Sequence, residues 1–153
     1  MVQSYYNLLN PSSGIAVPAG FKGYDFRRFI DLAAGHDMGV VIIRVMAGGA
    51  LGGETARNGY ASPDVGGTIV AGSDYDKDER RAAKLDFLLK DDISSLPQAA
   101  VKFALSHPGV STVLVGYSSI DQLEEAAGCP DKKDIAGDAM RRMMDLWAND
   151  FGV

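Results

Sequence analysis

Basic residues are in the minority: 15 Lys and Arg stand against 20 Asp and Glu, a formal net charge of -5. Without a cationic surplus the chain has no general pull on phosphate backbones, which argues against nucleic acid as a general partner and leaves only a local basic pocket open. Cysteine is scarcer still. Cys129 stands alone, so no intrachain disulfide can form and nothing points to an oxidising compartment. It reads as a loop residue. No apolar run reaches the roughly 18 residues that span a bilayer, so no membrane partner is expected. Met1-Val2-Gln3-Ser4-Tyr5-Tyr6 has neither the basic region nor the apolar region of a signal peptide, and a cytoplasmic location is expected.

What remains is ordinary soluble material. Across 153 residues, 46% are apolar and 23% charged, enough for one domain with a real core. Val2–Leu9 is rich in Tyr, Val and Leu and stops at Asn10-Pro11, which reads as a strand. Residues 11–24 read as a loop. From Asp25 the apolar positions Phe26, Phe29, Ile30, Ala33 and Ala34 predict a helix to about Asp37. Gly39–Val45 is a continuous β-branched run, suited to a strand buried on both faces.

A long Gly-rich segment, residues 47–76, follows. A loop of that length inside a compact domain is usually functional or disordered. Helical spacing returns at Asp78–Lys90, with Ala82, Leu85, Leu88 and Leu89 on one side. Ser95 and Gln98 then form a capping box with Pro97 in the first turn, and His107-Pro108-Gly109 ends that helix. Ser111–Gly116 is a third short strand. Ser119 and Gln122 open another capped helix, and a last helix runs from about Asp134, with Ile135, Ala139, Met143, Leu146 and Trp147 on one face. No linker or repeat divides the chain, so residues 1–153 form a single domain. The order predicts about three parallel strands, right-handed crossovers, four to five helices and no strand in residues 78–107.

In parallel α/β structures ligands bind beyond the C-terminal ends of strands, and two segments lie there. One is Met46-Ala47-Gly48-Gly49-Ala50-Leu51-Gly52-Gly53, whose glycines would let backbone N–H groups approach an anion. The other is Gly116-Tyr117-Ser118-Ser119, which leads into a helix N-terminus suited to phosphate. Taken alone, the first is equally a flexible loop and the second an ordinary capped helix. Asp74, Asp76, Asp78 and Glu79 have an Asp-x-Asp-x-Asp spacing but no Gly or terminal Glu in register for calcium. They read as a solvated face, and no metal is expected. His36 and His107 read as exposed helix-terminal residues.

HPGVSTVLVGYSSIDQLEEAAG resembles the last strand and following helix of aldo-keto reductases. In that family a Gly, hydroxyl residues, a Gln or Arg and a Glu-Asn pair surround the adenosine end of NADP(H). The resemblance assigns those places to Gly116, Ser118, Ser119, Gln122 and Glu125, with Ala126 where the family has Asn. HDMGVVIIRVMAGGALGG is similar to the family's seventh strand and pyrophosphate loop. It assigns a cofactor role to Arg44, Met46, Ala47, Gly48 and Gly49, with Arg44 opposite a phosphate. VQSYYNLLNP looks like the sixth strand, placing Gln3 at the nicotinamide carboxamide, with Tyr5 and Tyr6 as candidate stacking aromatics beside a core-packing alternative.

The resemblance implies a partial TIM barrel: the C-terminal half of a (β/α)8 barrel, from strand six onward. It implies NADP as cofactor, with NAD a second option, and a carbonyl or alcohol substrate. The family's catalytic Tyr, Lys, Asp and His belong to earlier strands, and no residue of this chain stands in those contexts. No catalytic residue is therefore expected, and weak or no cofactor binding by the chain alone. The alternative is a non-catalytic module that self-associates, as a homodimer, or pairs with a missing N-terminal half-barrel through its open sheet edges.

Overall fold

A computed structural model describes residues 1–53, 59–60 and 75–153. Three short strands, β1 (Val2–Tyr5), β2 (Val40–Ile43) and β3 (Thr112–Val113), pair in parallel in the order β1-β2-β3. Val2 lies opposite Val40 and Tyr5 opposite Ile43; Val41 lies opposite Thr112 and Ile42 opposite Val113. Among the described residues five α-helices accompany them: α1 (Phe29–Gly35), α2 (Tyr75–Ala82), α3 (Leu96–Leu105), α4 (Ile120–Ala127) and α5 (Gly137–Ala148). The expected parallel α/β sheet is present, and none of the described residues between 78 and 107 is in a strand.

The strands are shorter than their apolar runs. β1 stops at Tyr5 rather than Leu9 because Asn7 folds the chain. Its side-chain oxygen accepts the N–H groups of Leu9 and Asn10 at 3.0 and 2.9 Å, and its amide donates to the Arg44 carbonyl at 2.9 Å. Such local bonds compete directly with a ladder. β2 stops at Ile43 because Arg44 adopts a left-handed φ of 58°. β3 is a ladder of two residues, although Leu114 N–H still donates to the Ile42 carbonyl at 2.8 Å.

Two helices also differ from their periodicity. α1 begins at Phe29, not Asp25, because Arg27 and Arg28 are left-handed (φ 53° and 56°) and Ser12 and Asp25 take the preceding N–H groups. The pattern expected to give one helix over 78–90 gives α2 and then a separate 3-10 turn, Asp86–Leu88, that still delivers Leu85 and Leu88 to the core while Leu89 stays out. Both caps form with one difference from a capping box: Ser95 Oγ accepts the Gln98 N–H and Ser119 Oγ the Gln122 N–H, each at 3.2 Å, but each Gln carbonyl accepts the N–H of the residue before the cap, Ser94 at 2.9 Å and Ser118 at 2.7 Å.

The central strand is covered on both faces, with Val40, Val41 and Ile42 all buried. α3 packs Ala99, Ala100, Phe103 and Ala104 into the same core. There Tyr6 stacks on Phe103 at 4.7 Å and Phe103 meets Trp147 at 6.1 Å. Tyr6 is thus a core residue, and burial pushes its hydroxyl pKa far above the ordinary range. Tyr5 packs against Phe26 at 5.8 Å. His107, expected to be exposed, is instead largely buried: its Nδ1 accepts the Gly109 N–H at 3.1 Å, leaving Nε2 to donate to the Gly14 carbonyl at 3.1 Å. A Cβ on Gly14 would lie 2.6 Å from the His107 ring, so only glycine permits that approach. No helix among the described residues is long and apolar enough to cross a membrane.

Trp147 is fully buried and its Nε1–H donates to the Leu8 carbonyl at 2.8 Å, joining α5 to the segment after β1. Replacing Trp147 by Phe keeps an aromatic ring but leaves that carbonyl unpaired in the core, a cost of about 1–3 kcal/mol. Urea unfolding is expected to show a lower midpoint at unchanged slope; an unaltered midpoint would mean that the bond contributes nothing.

Candidate functional site

The chain leaves β2 through a sharp reversal. Arg44 is left-handed, Met46 leads into a 3-10 turn at Ala47–Gly49, and Gly48 and Gly49 have φ of 72° and 109°. Gly52 N–H donates to the Gly49 carbonyl at 2.8 Å, and a Cβ on Gly52 would lie 2.9 Å from that oxygen. Glycine holds such φ values without strain, whereas Arg44 and Ala47 hold them at φ of 58° and 49° against their Cβ. The turn therefore presents main chain, rather than side chains, beyond the C-terminal end of β2.

The segment after β3 faces it. Between them lies a cavity of about 500 Å³, within the range of small-molecule sites. Arg44, Val45, Met46, Gly48 and Gly49 form its β2 side. Leu114, Val115, Gly116, Tyr117 and Ser118 form its β3 side, and α4 adds Gln122, Glu125 and Ala126. Gly116 stands in open space, with nothing within 4 Å of where its Cβ would be.

Two capped helix N-termini meet at this wall. Ser118 N–H donates to Gln122 Oε1 at 2.7 Å, while the Gln122 N–H is taken by Ser119. These two donors are thus satisfied within the chain and are not bare anion ligands. The side-chain carbonyl of Gln122 is spent in this cap, which leaves its amide N–H2 as the group to offer a ligand. Glu125 is held from α3: its Oε1 accepts the Ser95 hydroxyl, and Gln98 Nε2 donates to the same oxygen at 3.1 Å. The second carboxylate oxygen has no protein donor among the described residues. An amide donor and a carboxylate acceptor three residues apart on one helix share a face, and a pair of this kind can read the edge of a heteroaromatic base.

Of the eleven residues singled out from sequence, eight line this one cavity: Arg44, Met46, Gly48, Gly49, Gly116, Ser118, Gln122 and Glu125. Three do not. Ala47 turns away within the 3-10 turn, Ser119 serves as the α4 cap, and Gln3 is exposed on β1. Tyr60, Tyr75, Pro97, Val101, Tyr117 and Cys129 also line the cavity and were not singled out for it. Tyr117 lies inside a motif already under scrutiny and was legible there. Pro97 and Val101 read only as part of an apolar stripe.

Cys129 is a turn residue, as expected, but a buried one whose thiol donates to the Glu125 carbonyl at 3.3 Å. Burial, and then the Glu125 charge, push its pKa up, so the thiol stays protonated at neutral pH. Of the acidic run, Asp74 lies outside the described residues; Asp76, Asp78 and Glu79 are on α2, where Asp78 pairs with Arg81 at 2.8 Å. No three His, Cys, Asp or Glu among the described residues gather to hold a metal.

The model of the aldo/keto reductase family matches residues 1–145. The chain belongs to the aldo/keto reductase family. No curated protein matches it. Among solved structures it is similar to the aldo-keto reductase AKR11C1 from Bacillus halodurans. The holo form matches with a TM-score of 0.55 at 22% identity, over 97% of this chain and 43% of that one. The apo form matches with a TM-score of 0.55 at 21% identity, over 95% and 42%. These likenesses establish the fold, a partial aldo-keto reductase barrel. The chain spans less than half the length of the structures it matches.

Aldo-keto reductases generally bind nicotinamide dinucleotides, and the donor set here fits such a group. The cavity offers glycine backbone on one side, Gln122 and Glu125 on the other, and Arg44 as its one cation among the described lining residues. Gly116→Ala fills open space and is expected to leave unfolding within about 0.5 kcal/mol of the parent. Gly52→Ala meets the Gly49 carbonyl and is expected to lower stability by about 1–3 kcal/mol. Equal effects of the two in thermal unfolding would contradict this geometry.

Proposed function

We propose that this chain is the cofactor side of an aldo-keto reductase, equivalent to the C-terminal half of the barrel from strand six onward, acting in the reduction of carbonyls or oxidation of alcohols. The observation that supports it most is the gathering of eight residues from two separate motifs around one cavity at the C-terminal ends of β2 and β3. On this reading the backbone of Gly48 and Gly49 runs beside the pyrophosphate of NADP(H), or of NAD(H), and Arg44 offsets phosphate charge. Gly116, Ser118 and Ser119 border the adenosine end, and Gln122 and Glu125 read the adenine edge. Gln3, on the exposed face of β1, is the candidate partner of the nicotinamide carboxamide. When bound, the dinucleotide supplies or accepts the hydride.

The chain's own residues bind and orient; none stands in the context of the family's proton-donating Tyr or its Lys, Asp and His. Loss of a general acid costs about 10²–10⁴ in rate, and loss of substrate positioning adds to it. We therefore place the chain alone as inactive and weakly binding, in a cytoplasmic setting. Titration with NADPH, followed by amide NMR, is expected to give a dissociation constant weaker than micromolar. Shifts should centre on Gly116, Ser118, Gln122 and Glu125 and be reduced in Gln122→Ala and Glu125→Gln. Sub-micromolar affinity indifferent to both changes would sink this site.

A second reading, of self-association or pairing with an N-terminal half-barrel, is favoured by the edge of the sheet. Among the described residues β1 and β3 are both open edges, and Leu114, Tyr117, Ile120 and Leu123 are exposed beside β3. Apolar surface of this kind seldom stays uncovered on a soluble monomer, and a two-fold copy is the commonest cover. Light scattering at micromolar concentration is expected to give about twice the 16.3 kDa chain mass. A clean monomer would remove the homodimer.

A further inference from the structure

Among the described residues, helix α2 is tied to the segment after α5 by charge. Its buried residues are Arg81 and Ala82, and its sequence, Tyr-Asp-Lys-Asp-Glu-Arg-Arg-Ala, is otherwise polar. Lys77 and Arg81, one turn apart on one face, both reach Asp150 beyond the end of α5. Lys77 Nζ lies 2.9 Å from Asp150 Oδ2, and Arg81 Nε and Nη2 lie 3.0 and 2.5 Å from Oδ1. Arg81 Nη1 also bonds Asp78 at 2.8 Å. The Asp150 side chain is 18% exposed and that of Arg81 10%, so these charge-assisted bonds, two of them converging on Oδ1, lie largely out of water.

The segment that carries Asp150 is itself pinned. Asp150, Phe151 and Gly152 have successive left-handed φ of 55°, 61° and 71°, a conformation that non-glycine residues hold only when their surroundings impose it. Phe151 is buried against the core, and Trp147, one turn earlier, is fixed to the Leu8 carbonyl. The turn is thus anchored to the body of the domain on one side and grips α2 on the other. At the first residue of α2, Tyr75 lines the cavity.

We infer that the C-terminal turn Asp150–Gly152 is a latch for α2, and through Tyr75 for one wall of the cavity, so that Asp150 is a positioning residue for the cavity's occupant. That the occupant is a nicotinamide dinucleotide rests on the function proposed above; the latch itself does not. Breaking it loosens α2 without touching the caps of α3 and α4, whose contacts involve neither α2 nor Asp150.

The test uses the full chain, its Asp150→Asn and Lys77→Met variants, and Asp150→Glu as the conservative control. Hydrogen exchange of the Ala83, Lys84 and Leu85 amides, which bond to Glu79, Arg81 and Ala82, is expected to quicken about tenfold in Asp150→Asn. The change should be smaller in Lys77→Met and near the parent rate in Asp150→Glu, with α3 and α4 unchanged. Labelling of Cys129 by Ellman's reagent reports on the cavity and is expected to quicken in parallel. Unchanged exchange in α2, an even acceleration throughout the domain, or a loosened α2 with no change at Cys129 would each overturn the latch. NADPH added to the parent separates the two ideas. Slower labelling of Cys129 supports the latch acting on a dinucleotide cavity. A loosened α2 and faster labelling in Asp150→Asn, with no effect of NADPH on the parent, support the latch and count against the dinucleotide.

Discussion

Strand β2 is the constraint on which the rest depends. Val40, Val41 and Ile42 are apolar and β-branched on both faces of the pleat, and all three are buried. Such a strand needs a neighbour on each edge and cover above and below. β1 and β3 supply the edges, and the helices supply the cover. Parallel pairing in the order β1-β2-β3 sends the segments after β2 and β3 out on the same side. The cavity follows from that topology before any of its side chains is considered.

The helix caps shape the cavity chemically. A helix N-terminus can hold its own side-chain cap or present its N–H groups to an anion, since each donor is used once. At α4 the chain resolves this in favour of capping, with Ser118 and Gln122 N–H groups both satisfied internally. The α4 side-chain groups left for a ligand are the amide of Gln122 and one oxygen of Glu125. The bonds from Ser95 and Gln98 hold that carboxylate still, and a preoriented group loses less freedom on binding. Any occupant of this cavity meets side-chain hydrogen-bonding groups on this wall and the glycine turn and Arg44 on the other.

Much of this was legible in the residues. Periodicity located three parallel strands, and Ser95–Gln98 and Ser119–Gln122 marked two helix starts to the residue. The glycines at 48 and 49 fall where the backbone is left-handed, with φ of 72° and 109°. Element ends were not legible, because single side chains set them. Asn7 closes β1, Arg44 closes β2, and the left-handed pair Arg27-Arg28 delays α1. None of these residues has a composition signal that outweighs the apolar run it interrupts. His107 was misread as exposed for a similar reason: its burial depends on Gly14, 93 positions away.

The sequence by itself determined the local grammar: which runs are apolar, where helices are capped, and that a single Cys can form no intrachain disulfide. These are properties of a residue and its near neighbours. Tertiary structure alone decided what meets across long separations. It brought Arg44 and Gln122 to one cavity, fastened Glu125 to the cap of a different helix, and joined Asp150 to Arg81 across 69 positions. Such contacts arise from burying β2, and a cost or gain that depends on the whole packed core is not written in any one segment.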